Sequence, residues 1–395
     1  MKLRTLVPLA VLAVLTACAT VRNPVSGEVE RTVMDERSEL RAGQQAHQEV
    51  LKEYRALANP VAQAYVDGIG QKLARASHRA NLEWHFTVLD SPQVNAFALP
   101  GGYVYITRGI LAYLDSEAEL AGVLGHEIGH VTARHASQRA TRQQAAGVGV
   151  LLANVLGAVL ESKGVSGAAD FSSQASQLAA AGYIAAYSRE QESQADRLGA
   201  DYLARNHYAS ARMVDVIRAL KQQEQFAADQ AREEGRPPPA GGGWLASHPS
   251  NDQRLHDIEQ VARQTANGAA APDADGRERY LKAIGGIPFG ESREEGLTRD
   301  QQFFHPLLGF ALTAPPDWRL RNGSEALAIV ERSGEAAAIM RLVPAEAGQN
   351  HEEILRKLFN PVSGQATHST VNGFEATTFV GLARSAQGMQ EVVRP

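Results

Sequence analysis

The sequence predicts an α+β protein: a mostly helical domain with one small β-sheet, followed by a small α+β C-terminal domain. Three observations carry this expectation. Apolar residues recur at helical spacing through much of 38–266. Between 82 and 107 the pattern changes to alternation, interrupted by Pro100-Gly101-Gly102, as short strands and a turn require. From about Arg299 the chain turns strand-rich, with a Pro315-Pro316-Asp317-Trp318 turn and one helical stretch at 351–358. At 395 residues there is length for two or three domains, each with its own core.

At the N-terminus, Met1-Lys2-Leu3-Arg4 is basic, residues 6–15 are apolar, and small residues lead to Ala17-Cys18. Residues 1–17 read as a secretory signal, too short for a lasting transmembrane helix. Leu15-Thr16-Ala17-Cys18 resembles a bacterial lipobox, which would leave a lipid on Cys18; the alternative is an ordinary signal that happens to contain a cysteine. Cys18 is the only cysteine, so it has neither a disulfide partner nor a companion thiol for zinc. Ala19 after it looks like the context for sorting to the outer membrane, which makes a lipid-anchored periplasmic protein the expectation. Residues 18–37 are polar and unpatterned, a lipid-anchored tether. A formal charge of −5, or −7 without Lys2 and Arg4, and no basic stripe with interleaved aromatics exclude a nucleic-acid surface.

The next elements follow in order. Residues 38–57 and 61–77 have helical periodicity, the second with Val61, Tyr65, Ile69 and Leu73 in a row. Residues 82–89 read as a strand, Asn95-Ala96-Phe97-Ala98-Leu99 as a short edge strand before Pro100, and 103–107 as a third strand. Ser116-Glu117-Ala118-Glu119 is a capping-box pattern, opening a helix expected to run through His130 towards Arg142. The apolar stretch 145–160 would reach about 24 Å as a helix, short of a hydrocarbon core of about 30 Å. It reads as a buried hairpin or a flap, part of a gating segment over 145–187. Helices are expected over 188–205 and 210–226, a loop over 227–243, and a short helix ending near 266. Domain boundaries follow as 38–266 and 299–395, with 267–298 as linker. No internal repeat is present in the sequence.

Leu124-Gly125-His126-Glu127-Ile128-Gly129-His130 sits in the helix opened by Ser116. Residues four apart share a helical face, so both imidazoles can reach one ion, with a carboxylate beside the first to work on water. Catalytic zinc usually takes three protein ligands and keeps one position open. Glu192-Ser193-Gln194-Ala195-Asp196 is the best source of the third: Glu192 as ligand, and Asp196 accepting from the outer nitrogen of a ligand histidine. A solvated acidic helix face is the plainer alternative.

The first motif, with Ser188-Arg189-Glu190-Gln191-Glu192-Ser193-Gln194-Ala195-Asp196-Arg197-Leu198-Gly199, closely resembles the gluzincin family of zinc metallopeptidases that includes the CAAX prenyl proteases, HtpX and BepA. Asn95 to Gly102 and the following Tyr103-Val104-Tyr105-Ile106-Thr107-Arg108-Gly109 resemble the family's segment before its metal helix. The resemblance spans about residues 38–265 and implies a zincin-type metallopeptidase domain. It makes His126, His130 and Glu192 the ligands of one zinc ion, Glu127 the catalytic base, and Asp196 the hydrogen-bond partner of a ligand. It also implies that His248, before Pro249, approaches the metal in a closed state as a reversible fourth ligand or an oxyanion donor. Arg254 would support charge in the same cleft, while His135 reads as solvent-facing or structural. Substrate is expected to lie extended along Asn95, Ala96 and Phe97. The chain has no spans beyond the signal and no tetratricopeptide repeats after the catalytic domain, so capture by such repeats does not carry over.

Together these readings describe a lipid-anchored zinc endopeptidase that cuts misfolded or misassembled envelope proteins, with outer-membrane assembly machinery as an expected partner. The rivals are a protease-derived chaperone or assembly factor, in which cutting is secondary, and a structural-zinc envelope protein. The intact set around Glu127 favours the enzyme, because holding a client needs no base.

Overall fold

The computed structural model describes residues 19–145, 187–233, 244, 248, 252–265, 275–322, 326–331, 336–343, 345–359, 361–385 and 388–394. The expected signal, Cys18, residues 146–186 of the expected gating segment, the Pro237 to Gly243 loop and residues 267–274 of the expected linker lie outside these residues. The chain divides into two compact units, Met1–Glu294 and Glu295–Pro395.

In the first unit, β1 (Ala19–Arg22) and β2 (Val29–Thr32) form an antiparallel hairpin. This corrects the expected tether at 18–37. Asn23 donates to the Ala133 carbonyl, and Thr32 bonds Ser137, so polar side chains tie the hairpin to the chain beyond the metal-binding motif. Helix α1 (Glu36–Glu53) follows, capped by Asp35. Helix α2 (Pro60–Arg75) starts with Asn59 as N-cap and proline in the first turn, where its missing N–H costs nothing. Its buried stripe is Ala62, Val66, Ile69 and Leu73, whereas Val61 is 61% exposed. The expected row of strict four-residue steps started one position early, since a 3.6-residue period mixes steps of three and four.

Strands β3 (His85–Leu89), β4 (Ala96–Leu99) and β5 (Tyr103–Thr107) make one sheet in the order β3-β5-β4. β3 runs parallel to β5, and β4 pairs antiparallel to β5 at an edge. The turn between β4 and β5 needs glycine at 102: its φ is +96°, and a Cβ there would collide with the Glu83 carbonyl oxygen. After the short helix α3 (Arg108–Leu111) comes α4 (Glu117–Thr132), every residue of which is buried.

Around α4 pack α2, β4 and β5, then α6 (Arg189–Arg205) and α7 (Arg212–Glu233). Val88, Ile106, Leu124, Ile128, Leu203 and Ile217 belong to the continuous core. α4 and α6 cross closely because glycines meet at the contact. A Cβ on Gly125 would sit 3.3 Å from Gly199 Cα, and one on Gly129 would sit 2.9 Å from the Ala195 carbonyl oxygen.

Helix α4 does not continue towards Arg142. It ends at Thr132, Arg134 takes a left-handed φ of 60°, and residues 135–145 resume as a separate helix, α5. The cause is tertiary: the Glu39 carboxylate, 2% exposed, lies 2.9 Å from Arg134 Nη2 and 2.5 Å from Arg79 Nη1. Arg134 also donates to the Met34 carbonyl.

Helix α7 runs past the expected 226 to Glu233 and is followed by α8 (Asp252–Thr265). The expected linker 267–298 is corrected as well, because α9 (Arg277–Ile284) packs on the first unit's core. Tyr280, fully buried, donates to the Leu111 carbonyl, and Arg279 pairs with Glu117. Among the described residues no helix is long and apolar enough to cross a membrane.

Among the described residues, the second unit holds three three-stranded antiparallel sheets and one longer helix. β6 (Leu297–Arg299), β7 (Gln302–His305) and β8 (Phe310–Thr313) make the first; β9 (Trp318–Asn322), β10 (Leu327–Glu331) and β11 (Ala337–Met340) the second. β12 (Pro361–Val371), β13 (Phe374–Ser385) and β14 (Gly388–Arg394) make the third, beside α10 (His351–Phe359). The molecule is α+β throughout, as expected.

Candidate metal centre

Two capped helices set the site. Ser116 accepts from the Glu119 N–H at the start of α4, while the Glu119 carboxylate turns to the Asp115 N–H. Ser188 and Gln191 complete a reciprocal capping box on α6. With their starts fixed and their glycines in contact, α4 presents His126 and His130 to Glu192 and Asp196 on α6.

His126, His130, Glu192 and His248 form a buried group whose candidate ligand atoms all lie within 4.8 Å of one another. His126 Nε2 is 3.0 Å from His130 Nε2 and 3.1 Å from His248 Nδ1. Glu192 oxygens stand 3.6 Å from His126 Nε2, 3.4 Å from His130 Nε2 and 3.0 Å from His248 Nδ1. Donors at about 2.0–2.1 Å around a tetrahedral ion are about 3.3 Å apart, close to these separations. Glu192 Oε2 is buried without a hydrogen bond among the described residues; 2.8 Å from Arg254 Nη1, it is in ion-pair contact only. With neutral imidazoles, Glu127, Glu192 and Asp196 set three buried carboxylates against, among the described residues, the guanidinium of Arg254, an excess that a divalent cation would balance. The donor set therefore fits a metal.

The residues behind the donors fix them. His126 Nδ1 is 2.8 Å from Asp196 Oδ1, and Arg254 grips Asp196 through Nε at 2.6 Å and Nη2 at 2.8 Å. Burial alone would raise the Asp196 carboxyl, but Arg254 outweighs it and holds it below the usual range. Burial would likewise raise Glu192, and His248, His130 and His126 overrule it. Loss of water pulls His130 down to about 4, the neutral form a metal requires. His248 moves the other way: burial lowers it, but the carboxylates of Glu127 and Glu192 outweigh that. Arg254 thus stands behind the donors, on Asp196, Glu192 and the His248 carbonyl, rather than at an open cleft.

His135 takes the structural alternative and not the solvent-facing one. It is fully buried, with Nδ1 2.8 Å from His130 Nδ1 and Nε2 2.9 Å from Gln194 Oε1. Two further residues had no signal in the sequence. Trp244, 1% exposed, donates its indole N–H to Glu127 Oε1 at 2.9 Å, and its backbone N–H to the Val94 carbonyl at 2.8 Å. Tyr187 stacks on His130 with ring centroids 4.1 Å apart. Either would have required knowing which distant segments fold over α4.

Asn95, Ala96 and Phe97 lie at the edge of the sheet, before and within β4. Asn95 Oδ1 is buried without a hydrogen bond among the described residues. A cavity of about 10 Å³, room for about one water, opens between Ala98 and Leu99 of this strand and His130 and Tyr187.

Residues 60–262, more than half of the chain, match the profile of Peptidase family M48. A beta-barrel assembly-enhancing protease of Yersinia pestis is 32% identical over 58% of this chain and 44% of its own length. The Escherichia coli K12 protein of the same name is 30% identical over 52% of this chain and 40% of its own length. The mitochondrial metalloendopeptidase OMA1 of Schizosaccharomyces pombe is 30% identical over 58% of this chain and 64% of its own length. The chain thus spans less than half the length of the bacterial relatives named here, and the match agrees with the resemblance carried by the two motifs.

Proposed function

We propose that the chain, which belongs to peptidase family M48, is a zinc-dependent endopeptidase of unfolded or misassembled cell-envelope proteins. The observation that carries this reading is the buried convergence of His126, His130 and Glu192 next to Glu127. Zinc held by those three side chains would supply Lewis acidity, acidifying a water towards a pKa of about 7 and polarising a peptide carbonyl. Glu127 then takes the water's proton on its carboxylate and delivers it to the departing amine. Asp196 keeps the His126 proton on Nδ1, so that Nε2 faces the ion.

His248 Nδ1 lies 3.1 Å from His126 Nε2, and its Nε2 lies 3.5 Å from Glu127 Oε1. In this reading His248 is a reversible ligand: it withdraws to admit water and substrate, and can then donate to the carbonyl oxygen. Arg254 supports the charge of Asp196 and Glu192. Substrate lies extended along Asn95, Ala96 and Phe97, taking main-chain hydrogen bonds from the edge of β4.

The envelope setting rests on the signal and lipobox ending at Cys18, which would place the enzyme in the periplasm on a lipid anchor, at the outer membrane. The names of the bacterial relatives support β-barrel proteins in assembly, or their assembly machinery, as substrates and partners. The test incubates a denatured outer-membrane β-barrel protein with wild type, Glu127→Gln and chelated wild type. Cleavage is expected only from the zinc-loaded wild type, with Glu127→Gln slower by at least about 10²-fold. Client holding without zinc-dependent cleavage in all three would instead identify a chaperone or assembly factor.

A further inference from the structure

The two metal-facing histidines of α4 are backed by groups of different kinds. His126 has a carboxylate. His130 has His135, itself held by Gln194 of α6. We propose that His135 and Gln194 form an uncharged hydrogen-bond relay that fixes the tautomer and ring orientation of His130, and so its hold on the metal. His135 is then a positioning residue that acts through His130. The inference rests on the reading of His130 as a zinc ligand.

The proton pattern follows from the metal end. If His130 Nε2 offers a lone pair to a cation, its proton sits on Nδ1 and donates to His135 Nδ1, 2.8 Å away. His135 must then carry its own proton on Nε2, which donates to Gln194 Oε1 at 2.9 Å. The amide orientation is assigned from this network, and the relay closes on a carbonyl acceptor with no charge. Reversing the direction would place the His130 proton on Nε2, where it could donate to His126 Nε2 3.0 Å away but would leave no lone pair for a cation.

The backbone supplies a second, independent observation. On a continuous helix, residues five apart stand about 140° round and about 7.5 Å along the axis, too far for two imidazoles to share a hydrogen bond. The rings meet because the helix breaks at Arg134, whose φ of 60° is uncommon for a side chain of this size. That conformation is held by a buried contact with Glu39 at 2.9 Å and a hydrogen bond to the Met34 carbonyl at 2.7 Å. Tyr187 stacks at 4.1 Å from the His130 ring centroid. The ring is thus held both by a ring neighbour and by its outer nitrogen.

The test measures zinc affinity of the full chain by competition with a chromophoric chelator, alongside melting of the metal-free protein. His135→Phe keeps an aromatic ring and removes the acceptor; zinc binding is expected to weaken about 10–100-fold, with metal-free melting near wild type. Gln194→Leu should weaken binding several-fold, while Gln194→Glu, which accepts the same N–H more strongly, should match or exceed wild type. Long-range proton–nitrogen correlation on the zinc-loaded protein should show His130 protonated at Nδ1 and His135 at Nε2. Wild-type affinity in His135→Phe, or equal affinities in the two Gln194 variants, overturns the relay. If His135→Phe does not fold, the Gln194 pair decides. A wild type that binds no zinc overturns the metal assignment itself, whereas a zinc-binding wild type with an unaffected His135→Phe overturns the relay alone.

Discussion

A buried carboxylate persists in a protein core only where its charge is met, and Asp196 shows what happens when two partners meet it at once. Arg254 makes a two-point contact with it, and His126 takes the remaining direction of Oδ1. Asp196→Asn keeps the shape but removes the charge that both partners use. It should weaken zinc binding about 10–100-fold and cost about 3 kcal/mol of stability, because Arg254 stays buried with one counter-charge fewer. Chelator competition and urea unfolding measure the two effects; if neither changes, the structural reading of Asp196 fails. This residue was legible in the sequence because it stands one helical turn from Glu192, as His130 stands one turn from His126. His135 was not legible, since its distance from His130 is set by a helix break that neither histidine encodes. Trp244 reaches Glu127 across 117 residues, and nothing local announces that contact.

At the scale of elements, the site depends on how closely α4 and α6 approach. Gly129→Ala would gain about 1 kcal/mol in helix propensity. Its new methyl would meet the Ala195 carbonyl oxygen at 2.9 Å, a backbone atom that cannot rotate away. Overpacking of this kind costs about 1–3 kcal/mol, so the crossing should win, giving a less stable protein with weaker zinc binding. Equal zinc affinity and a higher melting temperature would show that the helices part without cost. At its start, α4 is held by Glu117, which accepts from Tyr65 at 2.6 Å, Tyr208 at 2.8 Å and Arg279 at 3.2 Å. Burial would raise this carboxyl, but the three donors outweigh it and hold it below its ordinary value. A depressed folded value stabilises the protein above the unfolded value and is lost as the pH falls through the folded one. Glu117→Gln should therefore cost about 1–2 kcal/mol near neutral pH, with the gap closing below about pH 4.5. A gap that is constant from pH 7 to pH 3 would contradict this. The start of α4 was legible from Ser116, and its end was not. Glu39 and Arg134 are 95 positions apart, and only the fold brings together the ion pair that turns the chain. The same holds for α9, whose docking depends on Tyr280 finding the Leu111 carbonyl.

At the scale of the whole first unit, its metal centre gathers, among the described residues and with the imidazoles neutral, more carboxylates than guanidinium groups. Glu127, Glu192 and Asp196 are each about 1% exposed, and Arg254 is the guanidinium set among them. Such a centre is tolerable when a divalent ion completes it and costly when the ion is absent, so metal binding and folding of this unit must be linked. Free zinc at about a thousand times its dissociation constant would contribute about 4 kcal/mol. For a domain of roughly this size each kcal/mol moves the melting temperature by about 2–4 °C. Chelation should then lower the transition of the first unit by about 8–16 °C, and one equivalent of zinc per chain should restore it. Calorimetry with and without chelator, with zinc content measured on the same samples, checks both the size and the stoichiometry. An unchanged transition in a sample shown to have lost its zinc would mean that the buried carboxylates are balanced without the ion, and that the cluster is not a metal centre.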